Sequence, residues 1–269
     1  QNTYTYNSFP VYLARFSWSL ICFPKPFIIF NFSKYWQDVR HPDPARTKPY
    51  AILKTEKGKK LKTTEVTCKR VINEITILLA IWTYPNYYHW HINILPAIFS
   101  LKNKINSGKF RVMSYKFKDW QKISIQKLGI DLSIIEEIAE PETILFRSMI
   151  CGSTIGHIGC KLPPYLKSVF GFLRNSHWKN TKKTINEDRS PEFIFISRQD
   201  TNRRKLLNEA EVYEALRSKG FVKVVPGHLS YEQQIETFAR AKIIVAQHGA
   251  GLTNMGFAPP GCHVVEIFP

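Results

Sequence analysis

The stretch Lys242–Gly251, KIIVAQHGAG, decides the fold predicted for the C-terminal half of this chain. Its first six residues form an apolar, β-branched run, which is the pattern of a strand buried on both faces of a sheet. Similar short runs at Glu192–Ser197, Phe221–Val225 and Val264–Phe268 predict three further strands. The small residues that follow Gln247 predict a tight loop at the end of its strand.

Two helices are predicted between these strands. Asn208 can cap the first helix, and Gly220 can end it. Ser230 and Gln233 have the spacing of a capping box for the second helix, which continues through Ala241. Because strands and helices alternate along the chain, the pattern predicts a parallel, doubly wound α/β sheet.

The N-terminal half shows a weaker version of the same alternation. Glu74–Trp82 has the pattern of a buried strand, and Phe110–Met113 and Ile144–Phe146 predict further short strands. Between them, Asn93–Leu101 carries apolar residues at helical spacing. These elements again indicate α/β layers.

A polar segment separates the two halves. Residues Arg174–Pro191 contain almost no aliphatic side chains, which is typical of a solvated connection between two hydrophobic cores. We therefore predict an N-terminal domain at 1–175, a linker at 176–191 and a C-terminal domain at 192–269. The chain begins without methionine and stops directly after a strand-like run, so we expect a fragment whose C-terminal domain is truncated.

Composition excludes several classes of protein. The 269 residues are 44% hydrophobic and 13% aromatic, which excludes disordered and collagen-like chains. The 38 basic and 21 acidic residues give a net charge of +17, which requires solvated basic surfaces or an anionic partner such as nucleic acid, a membrane surface or a phosphorylated substrate. The five cysteines form no CxxC pair, which argues against a disulfide scaffold or a cysteine-rich zinc site.

Charged and small residues follow the predicted C-terminal strands, at the edge where parallel sheets bind their ligands. The loop His248–Gly251 follows the third strand, and its small residues let backbone N–H groups approach an anion. Four cations follow the first strand within eight residues: Arg198, Arg203, Arg204 and Lys205. Together they could neutralise a diphosphate, whereas in isolation they would indicate a solvated basic face.

The order of these segments resembles glycosyltransferase family 61, which includes xylosyltransferases and N-acetylglucosaminyltransferases. The resemblance covers Glu192–Pro269 and rests on SRQDTNRRKLLNE, SYEQQ, AQHGAGLTN and VVEIFP. In the first half it extends to the aromatic-histidine segment Asn86–Trp90 and to Leu95–Pro96. It implies a GT-B-like α/β fold, in which two Rossmann-like domains, an N-terminal acceptor side and a C-terminal donor side, face a cleft. It also implies inverting transfer of a sugar from a nucleotide-sugar donor to a glycan or polysaccharide acceptor.

The resemblance implies a donor site at the carboxyl edge of the C-terminal sheet, with UDP as the expected nucleotide. Glu266 matches the family's VEI position and would bind ribose or sugar hydroxyls, unless it is an ordinary strand-end carboxylate. Asn254 would bind the donor or orient a turn. The expected donor-binding residues are Ser197, Arg198, Arg203, Arg204, His248, Gly249, Ala250, Gly251, Asn254 and Glu266.

The catalytic residues are expected in the aromatic-histidine segment, at His89 and Asn93. Family members commonly carry an acidic residue four positions after the histidine, whereas here Asn93 occupies that position. An amide cannot accept a proton at neutral pH, so three interpretations stay open. Either His89 is the base and Asn93 orients it or the acceptor, or a carboxylate from elsewhere is the base, or this transferase is weak or inactive.

No tightly bound metal or other cofactor is expected, so that the nucleotide sugar would be a cosubstrate only. The eight histidines are scattered, and the sequence contains neither HExxH nor a clear DxD motif. Basic residues and helix termini would then take the place of a divalent ion at the diphosphate.

Two other functions compete with sugar transfer. A catalytically degenerate transferase could act as a binding protein, and Asn93 is the main evidence for it. A basic nucleic-acid-binding protein would explain the charge and the aromatic residues, but no helix-turn-helix or RNP-like motif supports nucleic acid as a partner. The predicted compartment is the cytoplasm, with a peripheral contact at the inner face of the membrane. The glycosylation sequon Asn31–Ser33 leaves the Golgi or ER lumen as the alternative, with an anchor outside this fragment.

Overall fold

A computed structural model describes residues 13–22, 28–30, 34–36, 70–79, 86–138, 142–152, 164–181 and 190–268. The strands of the N-terminal half are β1 (Leu13–Cys22), β2 (Ile28–Phe30), β3 (Lys34–Trp36), β4 (Arg70–Leu78), β5 (Arg111–Tyr115), β6 (Ile135–Ile138) and β7 (Thr143–Gly152). Its helices are α1 (Tyr87–His89), the π-helical turn Trp90–Ile94, α2 (Leu95–Asn106), α3 (Asp119–Lys127), the 3-10 turn Leu132–Ile134 and α4 (Pro164–Thr181).

The described strands of the N-terminal half form one sheet in the order β3-β2-β1-β7-β4-β5-β6. The pairs from β7 to β6 are parallel, whereas β1 joins β7 and β2 antiparallel and β2 joins β3 antiparallel. The strands predicted at Phe110–Met113 and Ile144–Phe146 are confirmed as parts of β5 and β7. Strand β4 begins four residues before the predicted Glu74, and residues 80–82 of that prediction lie outside the described residues.

The C-terminal half forms a second sheet. Its elements are β8 (Phe193–Ile196), α5 (Glu209–Arg217), β9 (Val222–Val224), the 3-10 turn Pro226–His228, α6 (Tyr231–Phe238), β10 (Ile243–Gln247), the 3-10 helix Ala250–Phe257 and β11 (His263–Ile267). The described strands are all parallel, in the order β11-β10-β8-β9. The predicted α/β class and the parallel C-terminal sheet are therefore confirmed.

The helix boundaries of this half follow local chemistry. The Ser230 hydroxyl accepts from the Gln233 N–H at 3.1 Å, and the Gln233 side chain accepts from the Ser230 N–H at 2.8 Å, which confirms the predicted capping box. Asn208 stands at the N-cap of α5, but its side chain forms no capping hydrogen bond within the described residues. Gly220 follows α5 with φ 85°, a left-handed conformation that favours glycine and ends the helix.

One buried core extends across both halves. It joins residues of the N-terminal sheet and helices, such as Ile77 and Leu101, to Ile194 and Ile244 of the C-terminal sheet. Helix α4 runs through Arg174–Thr181, which was expected to be a solvated connection, while residues 182–189 lie outside the described residues. Within this stretch His177 is completely buried and bonded to side chains of α3 and α6, which the polar composition alone does not predict. The division into domains at 176–191 stays a prediction.

A helix that crosses a bilayer needs about 20 consecutive, mostly apolar residues. Among the described residues, none of the helices has the length and apolar character needed to cross a membrane. The sequon Asn31–Ser33 lies outside the described residues.

Candidate functional site

The carboxyl ends of β8 and β10 open onto a cavity of about 210 Å³. In a parallel sheet this edge carries the loops that bind ligands. Its wall is formed by Ile196, Ser197, Arg198, Asp200, Thr201, Pro226, Gln247, Ala250 and Gly251. The structure therefore brings part of the predicted donor site together, because the residues after β8 and the small loop after β10 share one wall.

The guanidinium of Arg198 packs directly on the backbone of Gly249. A Cβ atom at position 249 would lie 1.4 Å from Arg198 Nη1, so a larger residue would have to displace the arginine. Arg198 Nε donates to the carbonyl of Arg203 at 3.2 Å, which holds the side chain across its loop. Burial, and then the charge of nearby Arg204, lowers the pKa of Arg198. The cation thus occupies a place where a bound anion would relieve both effects.

Residues 198–208, here named the arginine loop, are held on the sheet edge by buried polar side chains. Ser197 Oγ donates to Glu209 Oε1 at 2.7 Å, and Gln247 Nε2 donates to Glu209 Oε2 at 3.1 Å. Gln247 Oε1 in turn accepts from the Leu206 N–H at 3.0 Å. The Ser197 hydroxyl is therefore directed to Glu209. Sequence reasoning missed Gln247 and Glu209, although a glutamine at the end of an apolar strand is a usable signal.

His248 and Glu266 form a pair beside the cavity. His248 Nδ1 lies 2.6 Å from Glu266 Oε1, and the imidazole stacks on Phe268 with ring centroids 5.3 Å apart. An ionised carboxylate can only accept, so Nδ1 donates, and the contact becomes an ion pair when the ring is protonated. The structure brings these two predicted residues together but places neither in the cavity wall.

Arg203 and Arg204 lie on the exposed surface next to the cavity. Arg204 adopts φ 54°, a left-handed conformation that residues other than glycine rarely occupy. Its charge is close enough to lower the pKa of Arg198. A direct contact of either residue with a donor stays a prediction.

The predicted catalytic residues lie on residues 86–94, here named the aromatic turn. The Asn86 side chain accepts from the His89 N–H at 3.1 Å and starts the helix. His89 Nδ1 lies 3.1 Å from Asn93 Oδ1, across one helical turn. An amide oxygen can only accept, so Nδ1 carries the proton and Nε2 keeps the basic lone pair. The structure therefore brings His89 and Asn93 together as partners.

The aromatic turn widens into the π-helical segment Trp90–Ile94, a geometry that is frequent at functional sites. His91 is fully buried there, and burial lowers its pKa to about 4, so the ring is neutral at neutral pH. Its Nδ1 donates to the Tyr87 carbonyl at 2.8 Å, and its Nε2 accepts from the Tyr231 hydroxyl at 2.9 Å. A histidine among apolar residues is the only signal that the sequence offers for this contact.

Asn254 lies inside the protein rather than in the cavity wall. It is fully buried, its Oδ1 accepts from the Tyr87 hydroxyl at 2.7 Å, and its Nδ2 donates to Gln234 Oε1 at 2.8 Å. The structure does not bring Asn254 to the predicted donor site, because the 3-10 helix turns this residue towards α6 and the aromatic turn. The orienting role that the sequence left open agrees with these contacts.

The cavity wall carries one cation and one carboxylate, Arg198 and Asp200, and the Asp200 carboxylate accepts from the Gly227 N–H at 3.2 Å. In the part of the chain that the structure describes, no three His, Cys, Asp or Glu side chains are grouped as metal ligands. The cavity combines the guanidinium of Arg198 with the backbone of Ala250 and Gly251. Arginine forks and exposed loop N–H groups are the common partners of phosphate oxygens.

Comparison with known proteins gives a consistent result. The sequence model described as Glycosyltransferase 61 matches residues 87–265. A protein O-linked-mannose β-1,4-N-acetylglucosaminyltransferase 2 of Takifugu rubripes is 36% identical over 88 residues, which cover 31% of this chain and 15% of that protein. A β-1,2-xylosyltransferase of Oryza sativa subsp. japonica is 34% identical over 71 residues, 23% of this chain and 13% of that protein.

A third relative aligns over a longer stretch of the chain. A β-1,2-xylosyltransferase of Arabidopsis thaliana is 27% identical over 128 residues, which cover 38% of this chain and 24% of that protein. The aligned part of the chain thus spans less than a quarter of the length of each of these three relatives. The family match begins in the aromatic turn, includes the arginine loop and the His248–Gly251 loop, and ends within β11, one residue before Glu266. The chain belongs to glycosyltransferase family 61.

Proposed function

We propose that this protein transfers a sugar from a UDP-linked nucleotide-sugar donor to a glycan or polysaccharide acceptor, with inversion at the anomeric carbon. One observation carries the proposal: a cavity at the carboxyl edge of a parallel sheet holds the Arg198 guanidinium against the backbone of the His248–Gly251 loop. Two of the relatives are named for transfer of N-acetylglucosamine and xylose, which supports a nucleotide-sugar donor.

The donor diphosphate is proposed to bind in this cavity. Arg198 would pair with its oxygens in bidentate fashion, and the N–H groups of the Gly249–Gly251 backbone would donate to them. His248, whose Nδ1 donates to Glu266 at 2.6 Å, would add a third donor through Nε2 at the rim of the site when its ring is protonated. Arg203 and Arg204 on the exposed side of the arginine loop would supply longer-range positive charge.

His89 is proposed as the base. Its Nε2 would accept the proton of the acceptor hydroxyl while the oxygen forms a bond to the anomeric carbon of the sugar. The bond between that carbon and the phosphate oxygen breaks, and its electron pair leaves with the nucleoside diphosphate. Asn93 would hold the ring in the productive tautomer through the 3.1 Å contact with Nδ1.

The two groups of residues are proposed to face one cleft, as in a GT-B arrangement. The Tyr87–Asn254 hydrogen bond supports this placement, because it joins the aromatic turn to the 3-10 helix that begins in the donor loop. The acceptor would then arrive between the aromatic turn and the cavity. The compartment, cytoplasmic or luminal, and any peripheral membrane contact stay predictions.

One observation favours a second function, a donor-binding protein without turnover. Asn93 occupies the position where the family commonly carries an acidic residue, and its amide cannot accept a proton at neutral pH. Under the main proposal, Asn93→Asp changes the rate without creating activity, since His89 already serves as the base. Under the alternative, wild type is inactive and Asn93→Asp gains turnover.

A thermal-shift screen followed by a turnover assay tests the proposal. UDP at about 100 times its Kd should stabilise the folded protein by about 2.7 kcal/mol and raise Tm by several degrees. UDP-N-acetylglucosamine and UDP-xylose are the first donors for turnover with oligosaccharide acceptors. A protein whose Tm responds to no nucleoside diphosphate contradicts the proposal. Salt-sensitive binding of random oligonucleotides, with no response to UDP, would indicate nucleic acid as the partner instead.

A further inference from the structure

Tyr87 and His91 attach the aromatic turn to the C-terminal half on both sides of His89. Tyr87 precedes His89 by two residues, and His91 follows it by two. The Tyr87 hydroxyl donates to Asn254 at 2.7 Å, and His91 Nε2 lies 2.9 Å from the Tyr231 hydroxyl. The residue proposed as the base therefore lies between two tertiary hydrogen bonds to the donor-side half.

The direction of each bond follows from the chemistry of the partners. A carbonyl can only accept, so the Tyr87 carbonyl, 2.8 Å from His91 Nδ1, requires a proton on Nδ1. His91 Nε2 then carries a lone pair and accepts from Tyr231. Burial raises the pKa of both the Tyr87 and Tyr231 hydroxyls, so both stay protonated and able to donate.

The two anchor points belong to one connected block. Asn254 donates to Gln234 of α6 at 2.8 Å, and Tyr231 is the first residue of the same helix. Asn254 also lies on the 3-10 helix that begins at Ala250 in the cavity wall. The turn that carries His89 is thus tied through α6 and the 3-10 helix to the loop proposed to bind the donor.

We propose that Tyr87 and His91 are positioning residues, which set His89 against the donor through Asn254 and Tyr231; this inference rests on the function proposed above. In this proposal both residues act through His89 and not on the reacting atoms. A base must lie within about 3 Å of the hydroxyl it deprotonates, and a misplacement of about 1 Å can lower the rate about a hundredfold. Loss of either hydrogen bond should therefore slow turnover more than it weakens donor binding.

The aromatic turn also offers a matched control. Trp90 Nε1 donates to Ser124 Oγ at 2.9 Å, a buried hydrogen bond from the same turn to α3 of the N-terminal half. Ser124→Ala removes a bond of similar burial without touching the link to the donor side. It therefore separates a general loss of stability from a loss of positioning.

The test compares three variants: Tyr87→Phe, Tyr231→Phe and Ser124→Ala. Both single tyrosine variants should lower kcat about ten- to a hundredfold while the Kd for UDP changes less than about twofold. Ser124→Ala should lower Tm comparably and leave kcat within about twofold.

Two results overturn the proposal. One is a pair of tyrosine variants that both keep kcat within about twofold of wild type, and the other is a Ser124→Ala variant that loses as much kcat as Tyr87→Phe. If wild type binds UDP without turnover, the proposed reaction fails, and the nitrogen NMR signals of the His89 ring decide the inference. Shifts in both single tyrosine variants but not in Ser124→Ala support the positioning role, and unchanged signals in all three overturn it.

Discussion

The aromatic turn and the cavity edge each present a histidine, but in opposite surroundings. His89 contacts the neutral amide of Asn93, on a helix whose next turn is buried among aromatic rings. His248 contacts the carboxylate of Glu266, keeps 45% of its side chain exposed and follows directly on β10, next to the glycine that touches Arg198. One region is held together by burial and neutral hydrogen bonds, the other by charge.

The difference is compatible with the two tasks proposed for these histidines. A neutral partner fixes the tautomer without adding charge, which suits a group that takes up a proton. A carboxylate partner forms an ion pair with the protonated ring, which suits a place where a phosphate brings negative charge. Under the proposed function, the same residue type serves the acceptor side in one region and the donor side in the other. Four measurements can test this contrast.

The largest expected effect is a fall in the free energy of unfolding in acid, because His91 is buried in the aromatic turn. His91 binds a proton near pH 6.5 when unfolded but only near pH 4 when folded, so the unfolded state binds more protons between these values. The contribution of neutral His91 to the free energy of unfolding is fully present above about pH 6.5. That free energy should fall by about 3 kcal/mol as the pH drops to 4. His91→Gln should remove this part of the slope in denaturant titrations at each pH.

A second buried histidine and a control variant affect how the pH dependence of the His91 variant is interpreted. His177 also has a lowered pKa, from burial first and then from Lys127, so wild type keeps part of the slope in the His91 variant. The exposed His263→Gln is the matched control and should keep the full slope. Equal slopes in wild type and His91→Gln would contradict the buried, neutral state of His91.

The second largest effect is expected on kcat, when the proposed base is removed. His89→Ala should reduce kcat about a hundredfold, the usual contribution of a general base, and leave the Kd for UDP nearly unchanged. His263→Ala, far along the sequence on β11, should keep the wild-type rate. Full turnover of His89→Ala would return His89 to a structural role and assign the base to another group.

The charged region should respond in affinity rather than in rate. Arg198→Ala should raise the Kd for UDP about ten- to a hundredfold, because it removes a charge-assisted contact with the diphosphate. Arg217→Ala, whose guanidinium pairs with Glu214 on the surface of α5, is the control for net charge. Calorimetric titration with UDP measures both, and an unchanged Kd in Arg198→Ala would remove this arginine from the site.

The smallest effect is expected at the outer cations. Arg204→Ala should raise the Kd for UDP less than about tenfold, because Arg204 is exposed and lies outside the cavity wall. Its effect should shrink further at high salt, whereas that of Arg198→Ala should persist. A loss equal to that of Arg198→Ala, in the same titrations, would mean that the arginine loop closes on the donor.

Local patterns predicted much of the C-terminal half. Three features depend only on residues that are close together in the sequence, so local patterns are enough to predict them. They are the apolar strand runs, the Ser230–Gln233 capping box and the loop after Gln247. The meeting of Arg198 with Gly249 also follows, because parallel strands bring their carboxyl ends to one edge. Even the His89–Asn93 contact follows from a spacing of four residues on a helix.

The sequence by itself determined the α/β class, the parallel C-terminal sheet and part of the set of residues at its edge, among them Arg198 and Gly251. Only the tertiary structure decided that Asn254 bonds to Tyr87, that His91 bonds to Tyr231 and that Arg174–Thr181 is helical with His177 buried. Tyr87 and Asn254 are 167 residues apart, and His91 and Tyr231 are 140 apart. Their pairing depends on how two sheets and their helices pack, and burial then requires each polar group to find a partner that no local pattern specifies.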